Sequence, residues 1–201
     1  RKPAPVQVTY IGYGTTTGLS AMDYRFTDRY LSPSDSREWC SEELIRLPGC
    51  FSCYRPSAEA PAVVPSPAST TGHVTFGSFN NLAKVTPAVV GVWAEILRAV
   101  PQARLILKDA AFADAGQVAG YRGLFAKGNV RGERLEFIPK TATHAEHLAL
   151  YGRVDIGLDS FPYNGCTTTC DALWMGVPIV TLAGSMSFSR YGVSLLSNLG
   201  V

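Results

Sequence analysis

From residue 73 onward, short apolar runs alternate with stretches of helical periodicity, at a pitch that suits βαβ units. Val74-Thr75-Phe76-Gly77-Ser78-Phe79 reads as a strand, and Pro87 to Val100 as a helix with Pro in its first turn. Arg104 to Lys108 is a second strand. Ala113 to Ala126 reads as a helix weakened by Gly116, Gly120 and Gly123, and Leu135 to Ile138 as a third strand. Thr143 to Tyr151 predicts a short helix with Thr143 as N-cap and Glu146 at its third helical position. Val154 to Asp159 is a fourth strand, followed by a helix over Thr168 to Met175 that stops at Gly176, a suitable C′ residue. Pro178 to Leu182 is a fifth strand, and Ser189 to Leu199 begins another helix. The alternation implies an α/β fold with a parallel sheet and helices on both faces.

The first 55 residues are less regular. Val6 to Ile11, Asp23 to Asp28 and Glu43 to Leu47 look like strands, with a Gly/Thr loop from Gly12 to Gly18. Three short strands without a long helix make a poor core, so 1–55 is expected to be the end of a preceding domain. Residues 56–72, rich in Pro, Ala and Ser and without hydrophobic period, suit an extended linker. Residues 73–201 then form the second domain, and the chain reads as a fragment of a longer one.

Composition narrows the function. With 18 Lys+Arg against 16 Asp+Glu the formal charge is +2, too small and too dispersed for a nucleic-acid binder or an anionic-membrane binder. A hydrophobic content of 46% excludes wholesale disorder, and no apolar run reaches the roughly 20 residues of a membrane span. Five cysteines, an odd and sparse set, suit a reducing cytoplasm better than a disulfide scaffold. Cys50-Phe51-Ser52-Cys53 has the spacing of half a zinc site, but no second pair follows, so metal is not expected.

In an open parallel sheet, ligands bind beyond the carboxyl ends of the strands. The loop after the fourth strand runs Ser160-Phe161-Pro162-Tyr163-Asn164-Gly165-Cys166 into Thr167-Thr168-Thr169-Cys170-Asp171. Three Thr at a helix start offer backbone N–H groups, hydroxyls and the positive end of the helix dipole, a natural seat for a phosphate or diphosphate. They equally suit simple helix capping. Asp171 can accept from ribose hydroxyls or merely complement the dipole. No GxxxxGK[ST] motif is present. Lys84, after the first strand of this domain, can neutralise a diphosphate. His144 and His147 share one helix face, with no evident third ligand for zinc. Asp155 and Asp159 do not form a DxD pair.

Asp155 to Gly165, followed by Thr167-Thr168-Thr169-Cys170-Asp171-Ala172-Leu173-Trp174-Met175-Gly176-Val177-Pro178, closely resembles the O-GlcNAc transferase/SPINDLY family, glycosyltransferase family 41, in its bacterial form. Phe79-Asn80-Asn81-Leu82-Ala83-Lys84-Val85, Arg1 to Gln7 and Met22-Asp23-Tyr24 match further blocks in order. The resemblance implies a GT-B fold of two Rossmann-like domains. It also implies inverting, metal-independent transfer of GlcNAc from UDP-GlcNAc to Ser or Thr hydroxyls of proteins.

Carried over, Lys84 would stabilise the departing UDP, and Asn81 would stand near the phosphates. Ala142 would meet the base through its backbone, His144 would stand at a ribose-contacting position, and His147 would pack on the uracil. Cys166, Thr167 and Thr168 would cradle the β-phosphate, and Asp171 would hold the ribose. Three departures accompany the match. The family's proton-accepting His lies upstream of the block at which this chain begins. Leu150 stands where animal members have a base-contacting Arg, and His144 replaces a Lys. Tetratricopeptide repeats, common in relatives, are absent from these residues. The alternatives are the same fold with GDP-fucose (as in SPINDLY proteins) or UDP-glucose as donor, or a nucleotide-sugar-binding module without its own chemistry.

Overall fold

The computed structural model describes residues 2–201. Arg1, which opens the first matching block, lies outside the described residues. Contacts divide the chain into two compact units: Arg1–Tyr54, Pro162–Cys166 and Thr181–Val201 form one, and Arg55–Phe161 with Thr167–Val180 the other.

In the first unit, β1 (Val8–Thr9), β2 (Tyr24–Asp28) and β3 (Glu43–Leu47) make a parallel sheet in that order, with Tyr24 opposite Val8 and Glu43. The strands lie close to where the sequence predicts them. Their core draws on a residue outside 1–55: Tyr191, at the start of the helix Tyr191–Leu199, stacks on Phe51 with ring centroids 5.4 Å apart. Leu31, also buried, completes that cluster. Asp28, fully buried, accepts from the N–H groups of Tyr30, Leu31 and Phe51 at 2.7 to 2.9 Å and from the Ser194 hydroxyl. Residues 181–201 therefore belong with the first unit, not with the second domain as the sequence suggests. Burial of Tyr191 and the demand of the Asp28 carboxylate for donors decide their allegiance.

The second unit begins with a departure from the expected extended linker. Ala68–Thr71 forms one helical turn, α1, closed by Gly72 in the left-handed conformation. Asp155 holds it in place: its carboxylate accepts from the Ser66 hydroxyl, from Ala68 N–H at 2.9 Å and, on its other oxygen, from Thr75 N–H at 2.8 Å. Asp155 is thus a structural anchor at the amino ends of the strands.

Beyond it run β4 (Thr75–Ser78), α2 (Pro87–Ala99), β5 (Arg104–Lys108), α3 (Ala115–Lys127), β6 (Leu135–Ile138), α4 (His144–Ala149), β7 (Ile156–Leu158), α5 (Thr167–Trp174) and β8 (Ile179–Val180). The sheet has the order β6-β5-β4-β7-β8 and every pairing is parallel, as the alternation implies. Alternate residues of β5 serve opposite faces, since successive strand side chains point to opposite sides. Leu105 and Leu107 join Val89, Val90, Trp93 and Leu97 of α2 and Phe125 of α3, while Ile106 joins Leu148, Tyr151, Val154, Ala172 and Met175 on the other side. Helices therefore cover both faces. The α5 helix ends at Gly176, whose φ of +77° is the conformation expected of a C′ glycine. Among the described residues no helix is long and apolar enough to cross a membrane.

Candidate functional site

The strand order places the site. From β4 the chain builds outward through β5 to β6, then returns to the other side of β4 to build β7 and β8. The loops leaving β4 and β7 therefore part at the point where the winding reverses, which is where open α/β sheets hold ligands. Asn80 to Lys84 leave β4 there, and Asp159 leads away from β7 toward α5.

A buried polar chain ties these two exits together. Thr168 Oγ donates to Asn80 Oδ1 at 2.6 Å, and Asn80 Nδ2 donates to Asp159 Oδ1 at 3.1 Å. The same carboxylate oxygen accepts from Ser160 N–H at 2.9 Å. Asn80 is 6% exposed and Asp159 5%. The Tyr151 hydroxyl donates to the Thr168 carbonyl at 3.1 Å, fixing the first turn of α5 from below. The first turn of a helix has backbone N–H groups without intrahelical acceptors, and here it carries Thr167, exposed, and Thr168, half-buried.

Lys84 closes a 3-10 turn over Leu82–Lys84 and is half-buried. Exposed Asn81 caps that turn, its side chain accepting from Ala83 N–H at 2.8 Å. Asp109, just past β5, accepts from Leu82 N–H at 3.1 Å and from Ala111 N–H at 2.8 Å. Lys108 beside it is held below its ordinary value by burial, with Asp109 opposing and Lys140 adding to the effect. Neither Lys108 nor Asp109 stands out in the sequence, where they read as the end of an apolar strand.

The α4 helix supplies the third wall. Thr143 caps it as predicted, accepting from Glu146 N–H at 3.1 Å. Glu146 reaches back one residue further than a capping box requires, to Ala142 N–H at 2.9 Å. Any contact of Ala142 with a base through its backbone therefore falls to its carbonyl. His144 is exposed, and its ring lies 5.8 Å from that of His147 at an interplanar angle of 27°. His147 packs against Phe79 and Tyr151, with Nε2 3.8 Å from Asp171 Oδ2 and Nδ1 buried with no hydrogen-bond partner among the described residues. Asp171 is 4% exposed. Leu150 packs into the apolar cluster beneath α4.

The residues expected at the site thus gather at the strand carboxyl ends of the second unit, apart from Cys166, which clusters with the first. Among the described residues no cysteine forms a disulfide. Asn80, Asp159 and Tyr151 are the members that sequence reasoning did not assign a role. A polar residue two positions beyond a strand gives no local sign that it will be buried.

Comparison with known proteins agrees with this geometry. The chain is 49% identical over 200 residues to the Arabidopsis thaliana protein named probable UDP-N-acetylglucosamine--peptide N-acetylglucosaminyltransferase SPINDLY, covering all of this chain and 22% of that protein. It spans about a fifth of the length of the curated relatives it matches. Among solved structures it superposes on a mutant O-GlcNAc transferase of Thermobaculum terrenum with a TM-score of 0.93 and 40% identity, covering the whole chain and 38% of that protein. A trehalose-6-phosphate synthase matches with a TM-score of 0.51 at 13% identity, over 85% of this chain and 48% of that one, and shares the fold alone. The sequence profile of glycosyl transferase family 41 matches residues 1–54 and 68–201, leaving out the Pro-rich stretch 55–67. On the agreement of that profile with a parallel sheet whose reversal point gathers Lys84, Thr168, His147 and Asp171, the chain belongs to glycosyl transferase family 41.

Proposed function

We propose that this chain carries the donor-binding part of an inverting glycosyltransferase that moves GlcNAc from UDP-GlcNAc to Ser or Thr hydroxyls of proteins. The observation that carries the reading is the convergence of the α5 amino end, Lys84 and the His147–Asp171 pair at the reversal point of the sheet. The α5 amides and the Lys84 ammonium would meet the diphosphate and stabilise it as the anomeric C–O bond breaks and the electron pair leaves with UDP. The acceptor hydroxyl forms the new bond on the opposite face of the sugar and gives up its proton. Asp171 would accept from the ribose hydroxyls, His147 would lie against the base, and the Ala142 carbonyl would accept from the base N–H. Asn81 and His144 flank the phosphate and ribose ends, and Cys166 would add to the cradle from just before α5. The positive charge for the leaving group comes in this reading from Lys84 and the helix, without a metal.

In this reading the partner is an acceptor protein, and tetratricopeptide repeats in a longer chain would select it. A cytoplasmic place in a bacterial cell fits cysteines that form no disulfide among the described residues, and we adopt it. A second reading keeps the site and exchanges the donor for GDP-fucose. It stays open because Leu150 turns into the apolar cluster and offers a base no guanidinium, and because His144 in place of a Lys lessens the positive charge near the ribose.

Ligand-detected NMR of the chain with UDP, GDP and UDP-GlcNAc tests both readings. Saturation transfer to UDP that disappears in Asp171→Ala supports the first, and preference for GDP moves the assignment to the second. A folded chain that binds neither nucleotide overturns the site.

A further inference from the structure

We infer that Asn80 and Asp159 are positioning residues that turn the Thr168 hydroxyl proton inward, so that Thr168 meets an anion through its backbone N–H and not through its hydroxyl. The inference rests on the donor-site reading above and sharpens it. An ionised carboxylate only accepts hydrogen bonds, and Asp159 Oδ1 already receives Ser160 N–H. The Asn80 group facing it at 3.1 Å must then be the NH₂, which settles an amide orientation that geometry alone leaves open. That choice points the Asn80 carbonyl at Thr168. A carbonyl cannot donate, so over the 2.6 Å between Asn80 Oδ1 and Thr168 Oγ the threonine must supply the proton.

Thr168 has a single hydroxyl proton, and the relay consumes it. What Oγ presents outward is a lone pair, which repels a phosphate oxygen. The relay acts on the backbone as well, since Tyr151 holds the Thr168 carbonyl from the other side. Between them, the two contacts hold the Thr168 side chain and the peptide plane that runs from its carbonyl to Thr169 N–H. Thr167, exposed one residue earlier, keeps its hydroxyl on the surface. The three-threonine run is therefore not three equivalent donors: one of its members is spent on linking the β4 exit to the helix.

The test compares Asn80→Ala, Thr168→Val, their double variant and Thr168→Ser in the full chain, with UDP as probe. Each of the first two should weaken UDP binding between about twofold and about tenfold, the worth of one lost hydrogen bond. The double variant should be no worse than the weaker single one, because both changes break one relay. Thr168→Ser, which keeps the hydroxyl, should return affinity to near that of the parent chain. Losses that multiply in the double variant, or a loss in Thr168→Val that Asn80→Ala does not share, overturn the inference, because the hydroxyl would then be touching the ligand itself. Thermal unfolding of the same set without nucleotide judges the relay separately. Midpoint decreases that fail to add support it, and strictly additive decreases overturn it, even if the parent chain binds no nucleotide and the donor-site reading falls.

Discussion

His147 and Asp171 face each other from α4 and α5, imidazole Nε2 3.8 Å from carboxylate Oδ2, with the imidazole seated against Phe79 and Tyr151. The separation is too long for a hydrogen bond, so the two groups neighbour each other without saturating each other. Asp171→Ala should cost at least about tenfold in UDP affinity, since it removes a charged acceptor. His147→Phe keeps a ring on Phe79 and should cost less than Asp171→Ala. Titration calorimetry of the two variants checks the order, and an equal or larger loss in His147→Phe would mean that its nitrogens bind the ligand directly.

Asp109 holds the turn that carries Lys84 through its bond from Leu82 N–H. Removing its carboxylate in Asp109→Ala frees Leu82 N–H and Ala111 N–H together and should lower stability by about 1–2 kcal/mol. UDP affinity should fall with it, because the ammonium loses its fixed place. Chemical denaturation followed by UDP titration separates the two effects. Unchanged UDP affinity would show that Lys84 keeps its place without Asp109.

Glu42 is expected to shape the acid limb of stability in the first unit. Burial pushes its carboxyl up, but hydrogen bonds from Cys40, Thr17 and Thr16 outweigh burial and hold it well below the usual carboxylate range. A depressed folded-state value contributes stability that is complete above the unfolded value of about 4.3 and drains away as pH falls below it. Melting temperatures should therefore drop more steeply below about pH 4 in the parent chain than in Glu42→Gln. Parallel acid limbs would remove Glu42 from the account.

Leu97 is fully buried in the face covered by α2 and α3. Leu97→Ala should cost about 2–5 kcal/mol through lost transfer energy and the cavity left behind. Gly176→Ala should cost about 1–2 kcal/mol, because a Cβ there meets both a left-handed backbone and Val63 Cγ1 at 2.7 Å. Denaturant midpoints measure both.

Some of this was readable from residue order and some was not. The strands Glu43–Leu47, Arg104–Lys108 and Leu135–Ile138 lie where their apolar runs lie, and Thr143 caps α4 as its side chain predicts. Local chemistry decides those features. The helix Tyr191–Leu199 was visible as a helix but not as a part of the first unit, since periodicity reveals a buried face and never its partner. The single turn Ala68–Thr71 escaped notice because Asp155, 87 residues beyond Ala68, supplies its anchor. Asn80 escaped for the same reason: its partners Asp159 and Thr168 lie 79 and 88 residues away. Lys84, His147, Thr168 and Asp171 lie at the strand carboxyl ends of the second unit, where strand-end loops, helix-terminus chemistry and the family resemblance variously point.

The interleaving of the two units along the chain also sets an order of assembly. Synthesis runs from the amino end, yet the three-stranded sheet encoded by the first 47 residues rests on Tyr191 and Ser194. The five-stranded sheet has all its strands once Val180 has emerged. Of these two units, the one whose strands leave the ribosome first is thus the one that finishes folding last.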